Sequence, residues 1–139
     1  MKKQSAYIIR CAMICPDGTY LECLHRHDYK SYIDTVTEET YFIDGGEYYY
    51  RTSVNKVPAK MLIVTTDDPF ELQRTIPFWK SYSKNAEYYP HGIRLSLEQM
   101  EDDHLSNILD TQHHIRGTPI QRMFLNELEY RGKLIKKEM

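Results

Sequence analysis

The sequence predicts an α+β fold: a small antiparallel β-sheet packed with short helices, followed by a C-terminal helical hairpin. Three observations carry that reading. Residues 6–24 form two apolar runs around Pro16-Asp17-Gly18-Thr19, a turn in which Pro presets φ and Gly is free to take positive φ. Residues 40–51 form two aromatic runs around Gly45-Gly46, a pair suited to a tight hairpin. Residues 101–130 place apolar side chains at i, i+3 and i+4 instead, the spacing of amphipathic helices.

In chain order, the first strand covers residues 6–15 and the second residues 20–24. His27-Asp28 is expected to open a short helix through Val36. Asp28 would cap it, and Tyr29, Tyr32, Ile33 and Val36 would form its buried stripe. A third strand over residues 40–43, a turn at Asp44-Gly45-Gly46 and a fourth strand over residues 47–51 follow. Pro58 sits badly inside a helix, so a helix is expected only over residues 59–64. Asp68-Pro69 starts another short helix. Residues 82–92, YSKNAEYYPHG, are polar and turn-rich and read as a linker, and residues 93–97 as a brief extended piece. In the tail, Glu101, Asp102 and Asp103 suit a helix N-terminus, and Leu105, Ile108, Leu109 and Ile115 mark the apolar side. Gly117 ends that helix and Thr118-Pro119 starts the next. Ile120, Met123, Phe124 and Leu128 line its buried side, Gly132 stops it, and KLIKKEM is expected to fray. The domain reading is an α+β ligand-binding domain over residues 1–92 and a helical hairpin over residues 93–139.

The formal charge is −2, which gives no global attraction to DNA or to an anionic membrane. Neither a nucleic-acid polymer nor a membrane is expected as a partner. No apolar stretch reaches the ~18 residues that cross a bilayer. Arg10 splits the N-terminal apolar run and no small-residue cleavage site follows, so a signal peptide is not expected. A soluble, cytoplasmic protein is. The three cysteines, Cys11, Cys15 and Cys23, are an odd count for a closed disulfide framework. Cys11 and Cys15 share a strand face with Cα atoms about 13 Å apart, too far to bridge, and read as reduced, buried small hydrophobes. The twelve tyrosines suit half-buried strand positions, interfaces or ligand stacking.

Residues 25–28, His25-Arg26-His27-Asp28, are the densest chemical cluster. Arg supplies forked donors for a phosphate; the alternative is a solvated polar junction. His25, His27, Asp28 and Cys23 have the chemistry of metal ligands, but no second cluster completes a site, so no metal and no cofactor is expected. Cys15 and the pair Asp67-Asp68 are the candidates for catalysis, and neither has a partner at a characteristic spacing, so no enzyme activity is expected. Alternation sends Tyr48 and Tyr50 to one face of the fourth strand and Tyr49 to the other. Arg51 suits a phosphate or a carboxylate of the fold, and the sequence leaves both open.

An apolar strand (IIRCAMI), an Arg-His pair opening a helix (RHDYKSYI), then an aromatic strand, a Gly turn and an aromatic strand ending in Arg (YFIDGGEYYYR) resembles the Thoeris anti-defence proteins of phages, first type. The likeness spans about residues 6–51. It implies a sponge that sequesters cyclic ADP-ribose-type signals, in some members cyclic oligonucleotides, without cleaving them, acting in the host cytoplasm as a homo-oligomer. By position, Arg26-His27 matches the family's Arg-His pair, Phe42 its third-strand aromatic, Asp44 its turn acid and Arg51 its strand-ending Arg. The expected ligand-binding set is His25, Arg26, His27, Phe42, Asp44, Tyr50 and Arg51. Arg26 and Arg51 would meet phosphates, a tyrosine or Phe42 would stack a base, and Asp44 would accept from ribose hydroxyls. The competing expectation is a small protein–protein interaction module, a phage inhibitor of a host protein, in which the arginines are structural.

Overall fold

The computed structural model describes residues 6–84 and 87–133. It is α+β, as expected. The described residues form β1 (Ile8–Ile14), β2 (Tyr20–Cys23), β3 (Asp28–Ile33), β4 (Thr40–Gly46), β5 (Tyr49–Thr52), β6 (Lys60–Thr65), α1 (Phe70–Gln73), β7 (Trp79–Lys84), β8 (Glu87–Leu95), α2 (Asp102–Thr111) and α3 (Pro119–Tyr130). The strands make antiparallel sheets in the orders β2–β1–β6, β3–β4–β5 and β7–β8. The chain divides into two compact units between Asp67 and Asp68. The break expected after residue 92 falls inside β8, within a strand pair that cannot be split.

In the first unit the β1–β2 hairpin forms as the turn chemistry dictates. The Gly18 N–H donates to the Cys15 carbonyl and the Cys15 N–H to that of Thr19, both at 2.8 Å. Asp17 ties this turn to the next one along the chain. Its Oδ2 accepts from the Thr35 N–H at 2.9 Å and the Tyr32 hydroxyl at 2.8 Å, and its Oδ1 from the Thr19 N–H at 2.9 Å. These donors, Thr35 foremost, hold the carboxyl well below the usual range against some desolvation.

The helix expected from His27 to Val36 is absent; the segment is β3 and the turn after it. Ile33 and Val36, read as a buried stripe, are 65% and 69% exposed. Asp28 does cap free amides, but those of a turn: its Oδ2 accepts from the Leu24 N–H at 2.9 Å. Asp34 closes the other end by accepting from the Val36 and Thr37 N–H groups at 2.9 and 2.7 Å. Between them the backbone is satisfied by β4, in register from Asp28 opposite Gly45 to Ile33 opposite Thr40.

The expected turn at residues 44–46 is instead the end of β4. The reversal lies one step later, where Glu47 has φ 58° and the Tyr48 N–H donates to the Gly46 carbonyl at 2.7 Å. The two glycines serve close approach. A Cβ on Gly45 would lie 2.4 Å from the Tyr49 carbonyl oxygen, and one on Gly46 2.4 Å from that of His25. Of residues 59–64, expected as a helix, all but Ala59 lie in β6, paired with β1. The run Ile63-Val64-Thr65 is β-branched, and such side chains pack well on a pleated surface.

The two sheets of this unit enclose Ile8, Cys11, Met13, Cys15, Cys23, Tyr41 and Ile43. One isolated backbone bridge joins them, Ile8 N–H to the Glu47 carbonyl at 2.6 Å. All three cysteines are free and buried.

In the second unit, the linker expected over residues 82–92 is largely the ribbon β7–β8, with Tyr82 and Tyr88 half or more exposed. The outer part of the ribbon is largely exposed and needs no apolar alternation, so its sequence reads as loop. Of the two tail helices the second matches expectation; the first ends at Thr111, well before Gly117, and Ile115 lies in a separate 3-10 turn over His113–Ile115. Thr118 accepts from the Gln121 N–H at 3.4 Å with Pro119 in the first turn, and Met123, Phe124 and Leu128 are buried. Phe124 meets Phe78 and Trp79 with ring centroids 6.0 and 5.2 Å apart. Fully buried Glu127 takes two bonds of 2.8 Å from Arg74 and one of 2.7 Å from Arg131. The expected fraying of residues 134–139 lies outside the described residues. No described helix is long and apolar enough to cross a membrane.

Candidate functional site

β4 decides which side chains meet. Tyr41 and Ile43 point into the core, so alternation turns Phe42 and Asp44 to the opposite face of β3–β4–β5. Directly opposed residues share a face, and the register extends this one into three rows. Ser31 stands opposite Phe42; Tyr29, Asp44 and Arg51 lie abreast; Gly46 stands opposite Tyr49. The two core glycines let the flanking turn and β5 close on this end of the sheet.

On that face Tyr29 and Phe42 stack, with ring centroids 5.7 Å apart and planes inclined by 23°. Arg51 Nη2 donates to Asp44 Oδ2 at 2.5 Å. Asp44 is nearly buried, whereas the Arg51 side chain is 68% exposed, so its outer donors face solvent. The bond to Asp44 pushes the guanidinium further up, and the Tyr49 and Tyr29 hydroxyls add to the effect. His27, held at φ 63°, brings Nδ1 to 2.5 Å from the Tyr49 hydroxyl.

The turn at residues 24–28 sets that histidine, and Asp28 anchors the turn. Besides the Leu24 N–H, its carboxylate meets Lys30 Nζ at 3.3 Å and His25 Nε2 at 3.7 Å. Burial acts to raise the Asp28 carboxyl, but these three donors outweigh it and hold it below its ordinary value.

Of the seven expected residues, the sheet brings together His27, Phe42, Asp44 and Arg51. Arg26 is exposed in the adjacent turn, its backbone nitrogen against Gly46, and its guanidinium makes no ion pair among the described residues. His25 turns back to Asp28 and the Arg26 carbonyl. Tyr50 stands opposite Gly45 and so alternates to the face away from Arg51. Tyr29 and Tyr49 belong to the cluster and were missed. Tyr49 was legible as the residue two before Arg51 on one strand; Tyr29 was hidden by the helix expectation.

Two cavities, of about 250 and 230 Å³, have other linings. The larger lies among Lys84, Gln99, Glu101, Asp103, His104 and Asn107. The smaller lies among Met13, Ser53, Asn55, Pro58 and Met61. Burial, then the charges of Asp17 and Asp34, pushes the Cys15 thiol up, the opposite of an activated nucleophile. Among the described residues no group of three or more His, Cys, Asp and Glu side chains is placed to hold a metal ion. Compared with known protein families, curated proteins and solved structures, the chain matches none of them.

Proposed function

We propose that the protein is a non-catalytic binding module that captures a phosphorylated, ring-bearing small molecule and leaves it intact. In the biological form suggested by the motif order, it is a phage sponge for a cyclic nucleotide-type immune signal. The observation that supports this is the row Tyr29–Asp44–Arg51 with Phe42 and Tyr49 beside it. A base stacks on the aromatic pair, Arg51 turns its free donors to a phosphate, and Asp44 holds the guanidinium flat against the sheet. Arg26 borders the same end and supplies a second cation. The open face leaves one side of a ligand uncovered, and a second copy of the chain closing over it belongs to this reading.

Isothermal titration with a panel of cyclic ADP-ribose isomers and cyclic oligonucleotides tests it. Saturable heat with at least one ligand, lost in Arg51→Ala with Arg26→Ala and accompanied by recovery of unaltered ligand on heating, is expected. No heat from folded protein with any of them rejects it.

A second reading, a protein-interaction module, is favoured by the exposed apolar surface at Tyr29, Ile33 and Val36. It predicts one stoichiometric host protein in a pull-down, lost on Ile33→Asp, with no small molecule enriched from extracts.

A further inference from the structure

β1 and β2 place Cys11 and Cys23 directly opposite one another in an antiparallel ladder. Both side chains enter the core between the sheets, with 2% and 5% exposure, and the two thiols lie within hydrogen-bonding reach of each other. Opposed antiparallel residues have Cα atoms about 4.5–5.5 Å apart, inside the roughly 4.4–6.8 Å that a disulfide spans. Cys15 has no such partner. The Cys23 thiol also donates to the Asp28 carbonyl at 3.0 Å, at the end of the turn that holds His27.

We infer that Cys11 and Cys23 are a reversible redox pair, closing as a cross-strand disulfide that withdraws a hydrogen bond from the turn at residues 24–28. The oxidant is a low-molecular-weight disulfide. One cysteine thiolate attacks it, forming a mixed disulfide and releasing one small thiol. The second cysteine then attacks the protein sulfur of that mixed disulfide, releasing the second small thiol. The two protons leave on the released thiols, and the two cysteines are oxidised as the small disulfide is reduced. Burial pushes both thiols up, Cys23 to about 12, so attack waits on local opening, and β2 is an edge strand of its sheet. Once closed, Cys23 has no S–H, and the Asp28 carbonyl loses that donor. The inference rests on ladder geometry and is independent of the ligand.

The test holds folded protein in glutathione buffers of graded oxidation, and refolds a second sample from denaturant in the same buffers so that access does not limit the outcome. After alkylation, intact mass should show a species that carries one alkyl group instead of three and is two hydrogens lighter than the singly alkylated chain, and non-reducing peptide maps should link Cys11 to Cys23 with Cys15 alkylated. Reductant should restore three free thiols. Cys15→Ser should still close and Cys23→Ser should not; if Cys15→Ser fails to fold, the wild-type map decides. Hydrogen exchange at the Asp28 amide should run several-fold faster in the oxidised form. Cys15 in the linked peptide, mixed disulfides alone, or three alkylated cysteines in the refolded sample at the most oxidising ratio would overturn the pairing. Unchanged exchange would overturn its coupling to the turn.

Discussion

At the residue scale, the Arg51–Asp44 pair and the Arg74–Glu127–Arg131 cluster differ by burial, and their variants should differ accordingly. The Arg51 side chain is 68% exposed, but Asp44 is nearly buried and takes its hydrogen bond from that guanidinium, so removing Arg51 leaves a poorly solvated carboxylate. Arg51→Ala should remove ligand heat with a modest fall in the urea midpoint, smaller than that of Glu127→Ala. Glu127 is fully buried between Arg74 and Arg131. Removing one partner of a fully buried pair costs roughly 3–5 kcal/mol, but Arg74 and Arg131 are each 18% exposed and keep Glu98 and Asp102 as partners. Glu127→Ala should therefore lose less than that in chemical denaturation, though more than Arg51→Ala. Gly46→Ala is a third case. Its Cβ would meet the His25 carbonyl oxygen at 2.4 Å, at a backbone φ of 130°. Strain of that kind costs roughly 1–3 kcal/mol, and the clash also displaces the turn that sets His27. Loss of stability and loss of binding should therefore appear together.

At the element scale, the two tail helices were legible because cap, charge and periodicity agree. Thr118, Pro119 and the Met123–Phe124–Leu128 side all point to one helix. Thr118→Ala should cost about 0.5–2 kcal/mol, the range for losing an N-cap side chain, read as a lower midpoint in thermal melts. β3 was not legible because Tyr29, Tyr32, Ile33 and Val36 satisfy a helical spacing by accident. What overrides it is non-local: a whole register of bonds to β4, and carboxylates at both ends spent on turns. Apart from residues 93–95, which fall in the extended piece expected over 93–97, β7 and β8 were hidden for a different reason. A solvated ribbon carries no hydrophobic alternation to read. The first of these failures explains the site. His27, Phe42, Asp44 and Arg51 could be named from motif order, but their shared face follows from the β3–β4–β5 register, which also admits Tyr29 and excludes Tyr50.

At the scale of the molecule, folding should weaken at both ends of the pH range. Glu127, Asp102, Asp28 and Asp17 all have carboxyls held below their ordinary values. For Glu127 burial opposes this but the two arginines outweigh it; for Asp102 Arg131 is the main cause. Groups with depressed values contribute fully above the unfolded value near pH 4 and lose that contribution as pH falls through the folded one. Urea midpoints should therefore drop below about pH 4, and Glu127→Gln should make that decline shallower. At the alkaline end, burial raises Cys23 to about 12. A raised thiol favours the folded state below the unfolded value near 8.5, and its contribution is lost as pH rises from there towards about 12. Cys23→Ala should flatten that limb. The pairing of Arg51 with Asp44 has a kinetic corollary as well. The Arg51 cation arrives with its own counter-charge, on a chain of net charge −2, so it adds little long-range pull on an approaching anion and leaves Arg26 as the source of any steering. Encounter should proceed near unassisted rates, on the order of 10⁵–10⁷ M⁻¹s⁻¹. The association rate should depend only weakly on ionic strength, and Arg26→Ala should remove that dependence.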